Sequence, residues 1–280
     1  MNEQQPRPEA SRILEANVAV HTAMADDYDQ TQPHYRPENV ARVTETLRRL
    51  ADETGGGSLL DLGCGTGFVL QIAQGLFRRV VGVDITPAML ERVDRTGGNI
   101  ELLQGSTEEL PYAKGEFDVC TAYSYLHHLA DLKPTLREAA RCLRDGGRFF
   151  SDQDPNRAFW SLMASLSGAA DVTGFVAREV NAVLNTAEDG ASEAAVSADQ
   201  VALAEYQKVY GGGLDPSEVI DTLRSSGFRG ASVRYEWFLG QAKVLHQQSE
   251  ADTSVVETYL REALPASVPL FKYVSFFATK

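Results

Sequence analysis

The sequence predicts an α/β fold, a doubly wound and mostly parallel sheet that places its chemistry at the carboxyl ends of the strands. Three observations predict it. Short apolar strand patterns alternate with amphipathic helical ones from residue 58 to residue 153; the first strand, SLLDL, runs into the turn GCGTG at 63–67; and acids, Asp61 and Asp84, stand at the ends of the first two strands. With 280 residues, 43% of them hydrophobic, the chain can fill a real core.

Taken in order, the first ten residues are polar and read as a mobile leader, and SRILEANVAVHTAMADDYD reads as one helix with apolar residues three and four apart. A second helix starts at Pro37, with Val40, Val43, Leu47 and Leu50 on one face, and TGGG at 54–57 breaks it. Strands follow at SLLDL, RVVGVD, NIELLQG, FDVCTAY and GRFFSDQ, with helices beginning near Gly67, Pro87 and Asp131. Such alternation requires crossover connections and hence parallel strands. Beyond Pro155, residues 157–210 read as helices around a polar, flexible stretch, NTAEDGASEAAVSADQ. A capped helix in DPSEVIDTLRSSGF, a strand in RGASVRYEWF, a helix in DTSVVETYLREAL and a last strand in FKYVSFFATK complete a seven-stranded sheet with an antiparallel C-terminal edge. The expected division is N-terminal helices over 1–53, a ligand-binding core over 54–155, a helical insertion over 156–215, and completion of the sheet with a helical insert over 216–280.

Composition narrows the partners. A net charge of −13, from 39 acids against 26 bases, opposes nucleic acid, anionic membranes and strongly anionic substrates, and favours a neutral or cationic small molecule. No apolar run approaches the ~20 residues of a membrane span, MNEQQPRPEA lacks the order of a secretory signal, and Cys64, Cys120 and Cys142 form no CxxC pair. The cytoplasm is the expected location. No metal is expected, since His21, His34 and His246 stand without ligand spacing.

The glycine spacing G-x-G-x-G does not fit a dinucleotide fingerprint, whose third glycine would fall at Phe68, and the lysine and hydroxyl of a phosphate-binding loop are missing. Such a turn brings bare backbone and a helix N-terminus towards a carboxylate, while Asp61 suits an ammonium group. Asp84, 23 positions further on, stands where an acid meets ribose hydroxyls. Together they outline an adenosine joined to an amino acid.

The blocks LLDLGCGTG, VVGVDITPAML, GSTEELPYAKGEFD, YSYLHHLAD and LREAARCLRDGGRFF, in this order over about residues 20–155, resemble the class I S-adenosylmethionine-dependent methyltransferases, in the small-molecule group that includes ubiquinone and menaquinone enzymes. The resemblance implies a Rossmann-like core binding S-adenosylmethionine and releasing S-adenosylhomocysteine, partly covered by the N-terminal helices and a lid formed by the insertion. It implies that Gly63, Cys64, Gly65 and Gly67 line the methionyl part, Asp84 holds the ribose, and Ile85 and Met89 pack on adenine. Ser106 and Thr107 fall where the adenine amino group is read, with Glu108 the alternative because the family often has Asp at 106. Asp145 replaces the family's usual Pro in a turn that Gly146 and Gly147 still permit. Tyr35 and Tyr123 complete the expected cofactor set.

For catalysis the resemblance favours His128, as base or orienting group, with Tyr28 shielding the sulfonium; the alternative for either histidine of the pair is to pack or cap the following helix. His127, Asp152, Gln153 and Trp160 are the expected substrate-side residues, and the aromatic residues of the C-terminal part suit a hydrophobic acceptor. The expected activity is O-, N- or C-methylation of a small molecule in cofactor or secondary-metabolite biosynthesis. Alternatives are an enzyme of the same fold that binds the cofactor but catalyses cyclisation, rearrangement or decarboxylation, and a nicotinamide oxidoreductase, which Phe68 disfavours.

Overall fold

The computed structural model describes residues 9–169 and 171–280. Seven strands form one sheet: β1 Ser58–Leu62, β2 Arg79–Asp84, β3 Ile100–Gln104, β4 Phe117–Tyr123, β5 Leu143–Pro155, β6 Arg229–Phe238 and β7 Phe271–Thr279. Their order is β3-β2-β1-β4-β5-β7-β6, parallel except for β7, which runs antiparallel to both its neighbours. The antiparallel strand is therefore second from the edge, and β6 is the edge itself.

Period-two alternation divides the core between the two faces. Leu60, Leu62, Cys120 and Ala122 point into one cluster, covered by α6 (Leu132–Cys142) and α12 (Pro216–Ser225). Leu59, Val80 and Val119 point into the other, covered by α3 (Pro37–Thr54) and α4 (Phe68–Ala73). Pro37 opens α3 and Gly55, with φ +82°, ends it.

Four features depart from the sequence reading. The first helix, α1, stops at Met24, and a short α2 (Tyr28–Thr31) follows; Asp26 between them pairs with Arg92, and Asp29 within α2 accepts from Thr66 of the glycine-rich turn. The connection from β2 to β3 contains only one helical turn, α5 (Pro87–Leu90). The polar stretch 185–200 is helical: α9 (Thr186–Ala194) and α10 (Ala198–Ala204) meet across Ala195 at φ +53°, and Ser197 with Gln200 forms a capping box. Its small residues allow close packing, since a Cβ on Gly190 would lie 2.8 Å from Val201 Cγ1. Of the polar leader, only Glu9 and Ala10 lie within the described residues, and Ala10 opens α1.

The insertion contains α7 (Arg157–Ser165), α8 (Gly174–Leu184), α9, α10 and α11 (Tyr206–Val209), and two more helices, α13 (Gln241–Gln247) and α14 (Glu250–Glu262), lie between β6 and β7. Ile13, Ala16 and Val20 of α1 pack on Val201, Leu203 and Ala204 of α10. The N-terminal helix and the insertion thus form a single cover.

Asp152, fully buried on β5, accepts from Arg42 Nη2 at 2.6 Å and from Ser275 Oγ at 2.6 Å. Replacing Arg42 with methionine leaves that carboxylate buried without its cation, and denaturant unfolding is expected to show a loss of about 3–5 kcal/mol. A change below about 1 kcal/mol would show that the pair holds nothing together.

Candidate active site

The glycine-rich turn is fixed by β2. The Gly63 and Cys64 N–H groups donate to Val83 O at 2.8 and 3.0 Å, and the Gly65 N–H donates to Asp84 Oδ2 at 2.9 Å. At Gly63, φ is +68° and a Cβ would fall 2.0 Å from the Tyr125 ring, so only glycine allows the loop after β4 to lie this close. Gly67 is the left-handed residue before α4, and its part is conformational: it does not line the cavity. Cys64 lines the cavity, its sulfur lies against Gly82 on β2, and burial raises its thiol.

A cavity opens above this turn, at the carboxyl ends of β1, β2 and β4. Asp61, Asp84, Ile85, Met89 and Glu108 bound one part of it. Asp84 is held in place by the Gly65 N–H and by the Thr86 N–H, which donates to Oδ1 at 2.8 Å. Asp61 is 2% exposed and accepts from Thr121 Oγ1 at 2.7 Å; burial pushes its carboxyl up to about 7. Desolvation of the charged form, more than any neighbouring charge, is the cause. Ser106 and Thr107 line a smaller adjoining recess that shares Gly63, Asp84, Ile85 and Glu108 with the main cavity. The Thr107 hydroxyl is engaged by Tyr125 Oη at 2.7 Å and Thr135 Oγ1 at 2.9 Å.

The other part is aromatic. His34, Tyr35, Phe68 and Tyr123 line the cavity, with the His34 ring 4.7 Å from Tyr35 and 5.1 Å from Phe68. Burial lowers the His34 imidazole to about 4, so it is a neutral ring at neutral pH. Polar tethers hold this group over the turn: Thr66 Oγ1 donates to Asp29 Oδ1 at 2.5 Å and lies 2.7 Å from Tyr35 Oη, and Asn39 Nδ2 donates to Tyr123 Oη at 2.7 Å.

A second cavity lies beneath the insertion, lined by Trp160, Asp189, Glu193, Glu205, Lys208 and Tyr273 among others. His21, Tyr28, Ser124 and His128 line both cavities. These four residues form the seam between them.

The two histidines stand in the turn Leu126–His128, and each is fixed through Nδ1. His128 Nδ1 lies 2.7 Å from Ala204 O, an acceptor, so this nitrogen carries the proton and Nε2 the lone pair. His127 Nδ1 lies 2.9 Å from Asp154 Oδ1, which also accepts the His127 backbone N–H at 3.1 Å. Burial lowers His128 to about 4, lowers His127 well below its ordinary value, and raises Asp154 well above its own. Burial also raises the Tyr28 phenol, which Glu205 and Asp84 push further.

Asp152 and Gln153 do not reach either cavity. Asp152 is committed to Arg42 and Ser275, and Gln153, at φ +65°, lies in a bulge where the β5–β7 register shifts. The bulge turns Asp154 to the histidines instead. Trp160 does line the second cavity. Sequence reasoning missed Asp154, Thr66, Asn17, Tyr125 and Glu205; for Thr66, inside the glycine turn, position alone was a signal.

Residues 60–151 match the family described as methyltransferase domain. The demethylmenaquinone methyltransferase of Lactococcus lactis is 35% identical over 139 residues, covering 46% of this chain and 54% of that protein. The 27-O-demethylrifamycin SV methyltransferase of Amycolatopsis mediterranei is 35% identical over 118 residues, covering 40% and 43%. The chain thus spans about half the length of these curated relatives. In fold, it is similar to phosphoethanolamine N-methyltransferase 2 of Haemonchus contortus, solved with phosphomonomethylethanolamine and S-adenosylhomocysteine, at a TM-score of 0.58 and 15% identity, over 99% of this chain and 61% of that one. The matching stretch runs from β1 into β5, the part of the sheet whose carboxyl ends carry the first cavity.

Proposed function

We propose that the protein transfers a methyl group from S-adenosylmethionine to a nucleophile on a small molecule held in the second cavity. The observation that carries this reading is the seam, where His21, Tyr28, Ser124 and His128 face both compartments. Two relatives support the substrate class, being named for demethylmenaquinone and 27-O-demethylrifamycin SV.

The residues of the first cavity fit the cofactor. Asp61 offers a buried carboxyl to the ammonium group, Asp84 a fixed carboxylate to the ribose, and Ile85 and Met89 apolar walls to the adenine. Bound S-adenosylmethionine supplies an electrophilic methyl group. The chain's own work is to hold and orient the partners and keep water away, contributions that reach ~7–11 kcal/mol in well-aligned systems. Tyr28 covers the seam, and the neutral His128 presents Nε2 to orient the acceptor or take its proton.

The second cavity favours a neutral or cationic acceptor. Lys208 lies 2.6 Å from Glu205 and Lys272 2.8 Å from Glu179, so both its ammonium groups are neutralised, whereas Asp189 and Glu193 add negative charge. Trp160 and Tyr273 give it an apolar side. No described helix is long and apolar enough to cross a membrane.

The reading is tested by incubating the protein with S-adenosylmethionine and a panel of phenolic, hydroxylic and amine acceptors. It stands if demethylated cofactor appears with a methylated product, and falls if the bound cofactor is never consumed. His128→Ala is expected to lower kcat about 10²–10⁴-fold. At saturating cofactor the wild-type kcat is expected to hold from about pH 8 to about pH 5, since His128 stays neutral down to about 4. A limb near pH 6.5 that the His128 variant lacks would refute this.

Asp61 gives a separate pH signature. Its carboxyl, at about 7 in the free protein, must ionise to meet an ammonium group, so calorimetric affinity for S-adenosylmethionine is expected to fall up to about tenfold per unit below pH 7 and to level off above it. Asp61→Asn flattens that dependence. Without cofactor the sign reverses: the raised carboxyl stabilises the fold fully below its unfolded value, and that contribution is lost as pH rises through about 7.

A further inference from the structure

The cluster His127, His128 and Glu205 joins the core to the cover. One potential ligand atom from each residue lies within 4.8 Å of the others, with both histidines buried and Glu205 half-buried. All three line the second cavity. The arrangement is more specific than proximity. His128 is held through Nδ1 by Ala204 O at 2.7 Å and His127 through Nδ1 by Asp154 Oδ1 at 2.9 Å, so each ring turns Nε2 away from its anchor. His127 Nε2 lies 3.5 Å from Glu205 Oε2. Imidazoles that bind metals are commonly oriented in this way, with the second ring nitrogen donating to a carboxylate or a backbone carbonyl.

We propose that His127 Nε2, His128 Nε2 and the Glu205 carboxylate form a site for one divalent transition-metal ion of the zinc and cobalt type. Metal bonds of about 2.0–2.2 Å span ligand pairs up to about 4.4 Å apart, so a small inward shift of side chains closes the site. Two nitrogens and one carboxylate oxygen suit such an ion better than magnesium, which prefers oxygen and retains water. A fourth position faces the second cavity. Resting on the methyl-transfer reading, that position takes the accepting oxygen or nitrogen, and the histidines then act through the ion.

Lys208 determines when the site is available. Its Nζ lies 2.6 Å from Glu205 Oε2, where it is the cation that the carboxylate already holds. Ammonium and metal compete for this oxygen, so ion binding displaces Lys208 from it. Glu205 directly precedes α11, so an ion held here also ties the insertion to the turn after β4.

The test is a titration of Co²⁺ into the chelator-treated full chain, read by visible absorption. One equivalent is expected to give the intense d–d bands of a low-coordinate site, abolished by stoichiometric Zn²⁺. Glu205→Gln is expected to weaken Co²⁺ at least tenfold, Asp154→Asn to weaken it about 10–100-fold by freeing the His127 ring, and Lys208→Met to tighten it. Absence of the bands, or an affinity unchanged in Glu205→Gln, overturns the site; an affinity unchanged in Lys208→Met overturns the exchange. Calorimetry of S-adenosylmethionine with the Glu205→Gln protein separates the two readings, because Glu205 does not line the first cavity. Cofactor binding without metal binding sinks only the metal site. Metal binding by a wild-type protein that fails to bind cofactor sinks the methyl-transfer reading.

Discussion

The reversal of strand order at β1 is the constraint on which the rest of the structure depends. From β1 the chain runs outward through β2 to β3, then returns to place β4 on the other side of β1. Loops leaving the carboxyl ends of β1 and β4 therefore diverge, and a crevice opens between them. The pairing Asp61↔Gly82 and Asp61↔Thr121 sets the depth of the buried acid. The same register brings Val83 O to the turn's N–H groups and Asp84 to Gly65. A one-residue slip would turn Asp61 to the opposite face of the sheet and break both attachments.

The short turn Leu126–His128 is the second point of convergence. Asn17 of α1 donates to His128 O at 3.4 Å, Gln207 of the insertion donates to Leu129 O at 2.9 Å, and Asp154 of β5 receives two bonds from His127. Leu126, fully buried in the core, anchors the turn by packing. Polar contacts with three separate parts of the chain add to this and fix which ring nitrogens face the cavities.

These two points differ in how far they were legible beforehand. Strands β1, β2, β4 and β6 fall on the segments read as strands, because their apolar runs are short and bounded by glycine, proline or charge. Asp61, Asp84 and the glycines were legible for the same reason: strand, turn and acid are neighbours in sequence. Asp154 was not, since simple alternation puts residues 152 and 154 on one face, whereas the extra residue of the bulge at Gln153 shifts the phase of β5 and turns Asp154 to the other. Glu205 lies 77 positions beyond His128 and reaches it only through the packing of α10 on α1. No local periodicity encodes that contact. The polar stretch over 185–200 misled in the opposite direction, because alanine and glycine count as a weak apolar pattern although they permit the closest helix packing.

That close packing also separates the mechanical character of the two cavities. The core clusters on either side of the sheet are filled by leucine, valine and phenylalanine, whereas the cluster joining α1 to α10 draws on Ala16, Ala194 and Ala204 beside Ile13, Val20, Val201 and Leu203. Each methylene absent from a buried side chain forgoes about 0.8 kcal/mol, so the cover adheres less strongly than the sheet faces. Local opening is therefore cheaper there than in the core, while the turn and acids of the first cavity stay fixed by β1 and β2. A rigid first cavity beside a cover that opens at lower cost lets a small molecule reach the second cavity without disturbing the turn and acids of the first.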